Sequence, residues 1–399
     1  MSENTQGKLS NRLVFGMVGG GVGSFIGPVH KSAIAIDDSA ELVCGSFSRN
    51  KQKNQTTGQE WQIASDRIYD DYEQMAEAES KRDDGIDFVV IVVPNNLHYK
   101  CSKAFLERGI NVVCDKPLAF TPEEGYELMK LASDKGLEFM VTYTYTGYPM
   151  VNEAKRIIAD GEIGDIRMVM AEYPQGWLAD RVEDTDNKQA QWRVDPERAG
   201  LSCCVGDIGT HIENMVHYVT GLEIERLSAS LDNFVEGRKL DDNARINLEY
   251  KGGAKGIYWS SQIAISEENG LKFRIYGTKG ALEWEQEKPN VLIYKRKDLP
   301  TQIYTRGNGY LSSTAQQLSR IPAGHPEGYF EAFANLYKNY CKKLSDKKAG
   351  IESKDYVSFT TVIDGTRGIK FVHDCVKSSN QDGAWVDGSF TYKINKREV

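Results

Sequence analysis

A chain of 399 residues is longer than one ordinary hydrophobic core supports, so two domains are expected. A net charge of −8 argues against a nucleic-acid surface, and 40% hydrophobic beside 27% charged residues is the balance of a soluble globular protein. Residues 1–10 are polar, no later run reaches the length of a membrane helix, and seven cysteines without a Cys-x-x-Cys pair suit a reducing, cytoplasmic compartment.

The run Leu13-Val14-Phe15-Gly16-Met17-Val18 predicts a buried strand. It passes straight into Gly19-Gly20-Gly21-Val22-Gly23-Ser24-Phe25-Ile26-Gly27 and a helix over 28–36. Strand, glycine turn and helix together are the setting of a dinucleotide site. The glycines let the backbone approach a pyrophosphate, and the helix N-terminus supplies free N–H groups. Gly19, Gly21, Val22, Phe25 and Ile26 are therefore candidate cofactor contacts. Ser24 stands where the pattern's third glycine would fall and Gly27 follows, so the turn reads as expanded. A second strand over 41–47 ends in Ser48-Arg49. An acid there would bind the ribose 2′-hydroxyl; its absence beside Arg49 leans toward NADP over NAD.

Residues 59–82 read as a charged helix. Phe88-Val89-Val90-Ile91-Val92-Val93 is an unbroken apolar strand of the kind buried on both faces. Pro94-Asn95-Asn96-Leu97-His98 follows, then a helix over 99–107 and a strand over 110–114 that stops at Asp115-Lys116-Pro117. Lys116 thus arrives at the carboxyl end of a parallel strand, where such sheets place ligands, and Pro117 restricts its backbone. A helix over 122–135 and a strand over 138–142 complete a doubly wound parallel sheet, a Rossmann domain over 1–145.

The remainder, 146–399, reads as an α+β domain. A helix over 150–160 and a strand over 166–173 lead to a polar connection, 175–200, with the length of a lid or binding loop. It carries Trp177, Gln189, Trp192 and Arg193. Gly206-Asp207-Ile208-Gly209-Thr210-His211 opens a helix to about residue 220. Alternating segments between 226 and 294 predict a large, mostly antiparallel sheet. An irregular arm over 304–324 precedes two closing helices, 327–344 and 354–378, placed to pack back on the first domain, and a polar tail.

Asp207 and His211, four apart, fall on one helix face about 6 Å from each other. No Cys or His cluster has metal-ligand spacing, so no metal is expected. Beside a dinucleotide domain, Lys116, Asp207 and His211 offer a cationic donor, a carboxylate and a titratable imidazole around a carbinol.

With these residues in place the chain resembles the glucose–fructose oxidoreductase, inositol dehydrogenase and rhizopine-catabolism (Gfo/Idh/MocA) family of NAD(P)-dependent oxidoreductases. The carriers are the glycine turn with Gly27-x-x-His30, Pro94-Asn95-x-x-His98, Asp115-Lys116-Pro117 and Gly206-Asp207-x-Gly209-x-His211. Asp115 replaces the family's usual Glu. The expanded turn, Tyr145-Thr146-Gly147-Tyr148-Pro149, Gln189-x-x-Trp192-Arg193 and Gly324-His325-Pro326 look most like the levoglucosan and sugar 3-dehydrogenase branch. The resemblance implies Lys116, Asp207 and His211 as catalytic residues, with Pro94, Asn95, His98, Asp115 and Lys116 among the cofactor contacts. It implies Tyr145, Trp177, Trp192, Arg193 and His325, with the catalytic three, as substrate contacts. The implied reaction takes hydride from a secondary alcohol of a sugar or cyclitol to NAD or NADP, and the proton to His211 or Lys116. Separately from the resemblance, the open face of the second-domain sheet is expected to carry a homo-oligomer contact. The alternatives are a glycosidase using the cofactor transiently, which net cofactor reduction with a free sugar excludes, and a non-catalytic cofactor-binding regulator, against which the retained Lys116, Asp207 and His211 argue.

Overall fold

A computed structural model describes residues 12–352 and 356–392 of the chain. Strands β1 (Leu13–Gly19), β2 (Ala40–Ser46), β3 (Phe88–Val92), β4 (Asn111–Cys114) and β5 (Phe139–Val141) form a parallel sheet in the order β2-β1-β3-β4-β5. Every residue of β3 is buried, as its unbroken apolar run requires. The strand order reverses between β1 and β3, which opens a crevice beyond their carboxyl ends.

The glycine turn shows why the motif is stretched. Gly19 and Gly20 have φ of +81° and +70°, and a Cβ on Gly19 would lie 2.5 Å from the Val92 carbonyl oxygen. A Cβ on Gly27 would stand 2.0 Å from the Gly20 carbonyl oxygen. Gly27 therefore lets the helix Ile26–Ile36 close onto the turn, the task of the displaced third glycine. The far side of the turn rests on a neighbouring helix, where Val22 N–H donates to Thr57 Oγ1 at 3.0 Å.

The structure departs from the expected elements in several places. The helix expected over 59–82 is two helices, Lys51–Glu60 and Tyr72–Glu79, with side-chain caps from Asn50 and Asp71. Asn54 adds a reason for the break: its side chain binds Phe47 N–H and the Tyr69 carbonyl, pulling the intervening turn against β2. The last helix starts at Val362, not near 354. Residues just before it run along the free edge of β5, where Val141 N–H donates to the Thr360 carbonyl, and Thr361 then caps the helix. Lys354 and Asp355, like residues 1–10, lie outside the described residues.

The second sheet contains β6 (Ile166–Pro174), β7 (Ile224–Asp232), β8 (Asn243–Tyr250), β9 (Lys255–Ser261), β10 (Lys272–Gly277), β11 (Gly280–Glu285), β12 (Val291–Arg296), β13 (Gln302–Thr305) and β14 (Val386–Asp387). Their order is β13-β12-β11-β10-β6-β9-β8-β7-β14, antiparallel throughout except for β6 with β9. Strand β13 takes the start of the expected irregular arm, and β14 lies in the expected polar tail. Helices Pro149–Ala159 and Thr210–Thr220 bury their apolar stripes on one face of this sheet.

Both closing helices return to the first sheet. Helix Tyr329–Lys348 puts Phe333, Tyr337 and Tyr340 into one core with Phe15, Val29 and Phe88. Helix Val362–Ser379 spans two cores, with Val362 and Ile369 against the other face of the first sheet and Phe371 and Cys375 under the second.

The contact between Gly27 and Gly20 gives a direct test. Gly27→Ala should destabilise the protein by about 1–3 kcal/mol, the range for forcing atoms into a packed contact, read as a lowered midpoint of thermal unfolding.

Candidate active site

The crevice holds a cavity of about 510 Å³ between the two sheets. Its floor on the first-domain side comes from the turn after β1, the turn after β3 and the residues that follow β4. Ser24, Phe25 and Ile26 line it at the start of the helix Ile26–Ile36, where the N-cap residue Phe25 gives no side-chain bond and the Ser24 hydroxyl accepts from Gly27 N–H at 3.4 Å. Helix N-terminal N–H groups beside a glycine cradle fit the pyrophosphate of a dinucleotide.

Asp115 and Lys116 also line the cavity, and the Lys116–Pro117 peptide is cis. Asp115 Oδ1 accepts from the Thr142 hydroxyl at 2.5 Å and lies 3.0 Å from His30 Nε2, whose Nδ1 in turn meets the Tyr337 hydroxyl. Burial opposes the Asp115 charge, but His30 and Thr142 outweigh it and hold the carboxyl below its ordinary range.

Across the cavity, Lys116 Nζ donates to the Asp207 carbonyl and, at 2.9 Å, to Asp207 Oδ1. Asp207 lies in the wide π-type turn Val205–Gly209 that precedes the helix Thr210–Thr220. Such turns recur at functional sites. Asp241 anchors the start of this segment by accepting from Cys203 N–H, Val205 N–H and the Ser202 hydroxyl. Asp207 Oδ2 accepts from Arg193 Nε and Gln262 Nε2, each at 3.0 Å. Burial would raise the Asp207 pKa, but Arg193 and Lys116 together drive it well below the ordinary carboxylate range.

His211 follows one turn later. Its ring meets those of Tyr145 at 4.8 Å, Tyr143 at 5.5 Å and Tyr173 at 6.0 Å. Burial first, and the Lys116 charge second, push its pKa well below 6.5 against the pull of Asp207 and Asp115. The imidazole is therefore neutral at neutral pH. A half-buried carboxylate thus stands one turn before a neutral base, with the Lys116 ammonium bonded to the first and acting on the second through its charge.

Two family models cover most of the chain. An oxidoreductase family with an NAD-binding Rossmann fold matches residues 13–143, and a GFO/IDH/MocA C-terminal domain matches 151–283. An uncharacterized oxidoreductase of Bacillus subtilis (strain 168), YfiI, is 35% identical over 97% of this chain and 100% of its own length. The chain belongs to the Gfo/Idh/MocA oxidoreductases. Among solved structures, an inositol dehydrogenase homologue from Azotobacter vinelandii complexed with NAD+ superposes with a TM-score of 0.91 at 37% identity, covering 97% of this chain and 100% of that one. Levoglucosan dehydrogenase complexed with NADH superposes at 0.79 with 25% identity, covering 94% and 99%.

Within this Gfo/Idh/MocA chain the expected site residues divide into three groups. Lys116, Asp207, His211, Tyr145, Trp192, Arg193, Phe25, Ile26, Asn95, His98 and Asp115 line the cavity. Gly19, Gly21, Val22 and Pro94 shape the turns behind it, and Ser48 and Arg49 lie beyond the end of β2, Arg49 exposed. Trp177 and His325 are misplaced by the sequence reading. Trp177 stands behind Arg193, 5.7 Å from its guanidinium, and does not line the cavity. His325 is exposed on the outer arm, which Arg306 anchors by donating to the His325 carbonyl.

His98 has its ring nitrogens on backbone carbonyls, of Pro117 at 2.6 Å and Val93 at 2.8 Å, and so braces the loops. The Asp207 carboxylate is taken by Lys116, Arg193 and Gln262.

The sequence reading missed Tyr173, Gln175, Asn269, Gln286, Tyr329 and Phe333 as lining residues. Asn269 is central among them: its Oδ1 accepts from Tyr173 and Gln175, and its Nδ2 reaches Tyr145. They are scattered over four places, Tyr173 and Gln175 at the end of β6, Asn269 before β10, Gln286 after β11, and Tyr329 and Phe333 on one closing helix. A fall of polar and aromatic residues at strand ends was the one available signal.

The His211 environment predicts a pH response. The unfolded chain, with a histidine near the ordinary 6.5, binds a proton before the folded protein does. Stability associated with this group is therefore full above about pH 6.5 and falls as acid is added. Titration of the His211 ring by NMR should show it neutral at pH 6.5 and protonated only well below that.

Proposed function

We propose that this protein is an NAD(P)-dependent dehydrogenase of sugars or cyclitols, exchanging hydride between a secondary CH–OH and nicotinamide. The observation carrying this reading is that one cavity joins the helix N-terminus behind a glycine cradle to Lys116, Asp207 and His211. Relatives described as an inositol dehydrogenase homologue and a levoglucosan dehydrogenase support the substrate class. Gly19, Gly20, Gly21 and the start of the helix Ile26–Ile36 would hold the dinucleotide, with Asn95 and Asp115 beside it. The bound nicotinamide supplies the hydride acceptor.

Neutral His211 takes the hydroxyl proton, because its ring makes no hydrogen bond to a protein group among the described residues and burial keeps it unprotonated. Lys116, steered by Asp207, donates to the same oxygen and stabilises negative charge as it develops there. Asp207 acts through Lys116 by fixing where the ammonium points. Tyr145 and Tyr173 pack edge-on against the His211 ring and narrow solvent access to it.

The end of β2 supports an NADP lean through Arg49, which is exposed where a ribose-binding acid would stand. Seven free, buried cysteines support a reducing compartment. The open face of the second sheet, with Ile257 and Ile303 exposed, supports self-association there.

Lys116→Ala and His211→Ala should each lower kcat by about 10²–10⁴-fold, the usual worth of a positioned acid or base, with cofactor affinity kept. Since both act on one oxygen, the double variant should lose far less than the product of the single losses. Steady-state rates with calorimetric cofactor binding check both points, and near-normal turnover in a single variant removes that residue from the reaction. Arg49→Ala should weaken NADP more than NAD; an unmoved ratio of the two dissociation constants makes Arg49 a bystander.

A further inference from the structure

Trp177 does not line the cavity, yet its indole N–H donates to Gln175 Oε1 at 3.1 Å, and Gln175 does line it. Gln175 Nε2 in turn donates to Asn269 Oδ1 at 2.9 Å, and the Tyr173 hydroxyl donates to the same oxygen at 2.5 Å. The Tyr173 and Tyr145 oxygens stand 2.6 Å apart, and Asn269 Nδ2 closes the cluster by donating to the Tyr145 oxygen at 3.4 Å. Gln175, Asn269, Tyr173 and Tyr145 are all lining residues, so Trp177 is bonded to the cavity wall at one remove.

Amides and hydroxyls turn either way, but an indole nitrogen only donates. Its N–H is met by the Gln175 oxygen, which leaves Gln175 its nitrogen for Asn269. That nitrogen donates, so Asn269 presents oxygen, and the Tyr173 proton is drawn to the same oxygen. A contact of 2.6 Å between two hydroxyl oxygens holds a proton between them. With the Tyr173 proton engaged by Asn269, the shared proton is that of Tyr145. Tyr145, whose ring meets His211 at 4.8 Å, is left with a lone pair and no proton to offer. With both amides turned over, the Tyr173 proton would pass to the Tyr145 oxygen and release the Tyr145 proton for a ligand. The backbone is pinned beside both amides, Asn269 N–H to Glu287 Oε1 and Gly270 N–H to the Pro174 carbonyl. What is left to set is the direction of the amides.

We propose that Trp177 is a positioning residue: acting through Gln175 and Asn269, its indole N–H makes the Tyr145 hydroxyl an acceptor toward substrate. This rests on the dehydrogenase reading above and adds a rule of specificity to it, that the substrate brings a hydroxyl proton to Tyr145. Loss of the N–H frees both amides, and the rule relaxes while the wall keeps its shape.

The first arm of the test reads the direction of that bond by a sign. Fluorine accepts a hydrogen bond weakly and donates none, and a bare C–H does neither. Initial rates with NAD and with NADP, followed by nicotinamide absorbance, are measured on myo-inositol, glucose and their monodeoxy and deoxyfluoro derivatives. At the ring position that meets Tyr145 the wild type should take the fluoro compound less well than the deoxy one, by about threefold to tenfold in kcat/KM, the worth of one hydrogen bond. Trp177→Phe keeps an aromatic ring beside Arg193, and Gln175→Glu offers only acceptors and so turns Asn269 over. Both should bring the fluoro-to-deoxy ratio to one or above. A loss of packing alone lowers the two rates together and leaves their ratio unmoved. A wild type with no position at which fluorine is disfavoured, or a ratio unmoved in both variants, overturns the proposal. No turnover of any parent compound overturns the dehydrogenase reading instead.

The second arm needs no turnover. In protein with isotope-labelled tryptophan, NMR records six indole N–H signals, and that of Trp177 is the one lost in Trp177→Phe. Gln175→Glu makes the acceptor a carboxylate, so this signal should move downfield, whereas Gln175→Leu removes the acceptor and should move it upfield. A signal that stays in place in both folded variants means that Trp177 does not donate to residue 175, and the proposal falls.

Discussion

The Asp207 carboxylate is the point at which three separately encoded parts of the chain meet. Lys116 reaches it from the loop after β4, Arg193 from the long connection after β6, and Gln262 from the residue after β9. A buried anion is unfavourable by itself, and its partners are therefore not optional. Leaving a buried charge with one partner removed is far more costly than the net worth of the pair. The same economy explains the polar support one step further out. Cys203 donates to Gln262 Oε1, which fixes the amide whose other end holds Asp207, and Asp241 ties down the backbone on which Asp207 rides.

Burial acts on Asp207 and His211 alike, yet their charge states diverge. Desolvation opposes the ionised form of each. For Asp207 two cations overturn it; for His211 the ammonium of Lys116 works in the same direction as burial. One lysine thus works with Arg193 to keep the acid ionised and with burial to keep the base unprotonated. Separating two titratable groups by unequal environments is how a protein assigns acid and base roles at neutral pH.

Much of this was legible in the chain. Continuous apolar runs such as Phe88-Val89-Val90-Ile91-Val92 announce strands covered on both faces, and alternation announces the second sheet, because burial imposes its period directly on sequence. The line of Lys116, Asp207 and His211 was legible because it lies in short motifs at element ends. The helix break at 61–71 was not, although Asn50 and Asp71 are ordinary capping residues; a charged, weakly periodic stretch gives no boundary of its own. Asn269 and Gln262 were invisible for another reason: their importance is a matter of tertiary distance to Tyr173 and Asp207, which no local pattern encodes. Trp177 and His325 show the reverse error. Proximity in sequence to lining residues did not bring either to the wall, because Arg193 fills the space before one and Arg306 anchors the other's arm elsewhere.

The return of the helix Tyr329–Lys348 to the first sheet has a consequence for how the protein is made. Tyr340 packs edge-on against Phe88 with ring centroids 5.4 Å apart, and its hydroxyl donates to the Val112 carbonyl. The nucleotide-binding sheet is complete by Val141, yet one of its faces waits for a helix nearly two hundred residues further along. During synthesis that face, with Phe15, Met17, Phe88 and Val90, has only the first helix, through Val29, Ala33 and Ile34, to cover it while the whole second domain emerges from the ribosome. Translation at about 5–20 residues per second makes this a wait on the order of ten seconds or more, long enough for an exposed apolar sheet to attract chaperones or a neighbouring nascent chain. The nucleotide-binding sheet precedes the second domain in the chain and is among the last parts of the molecule to be finished.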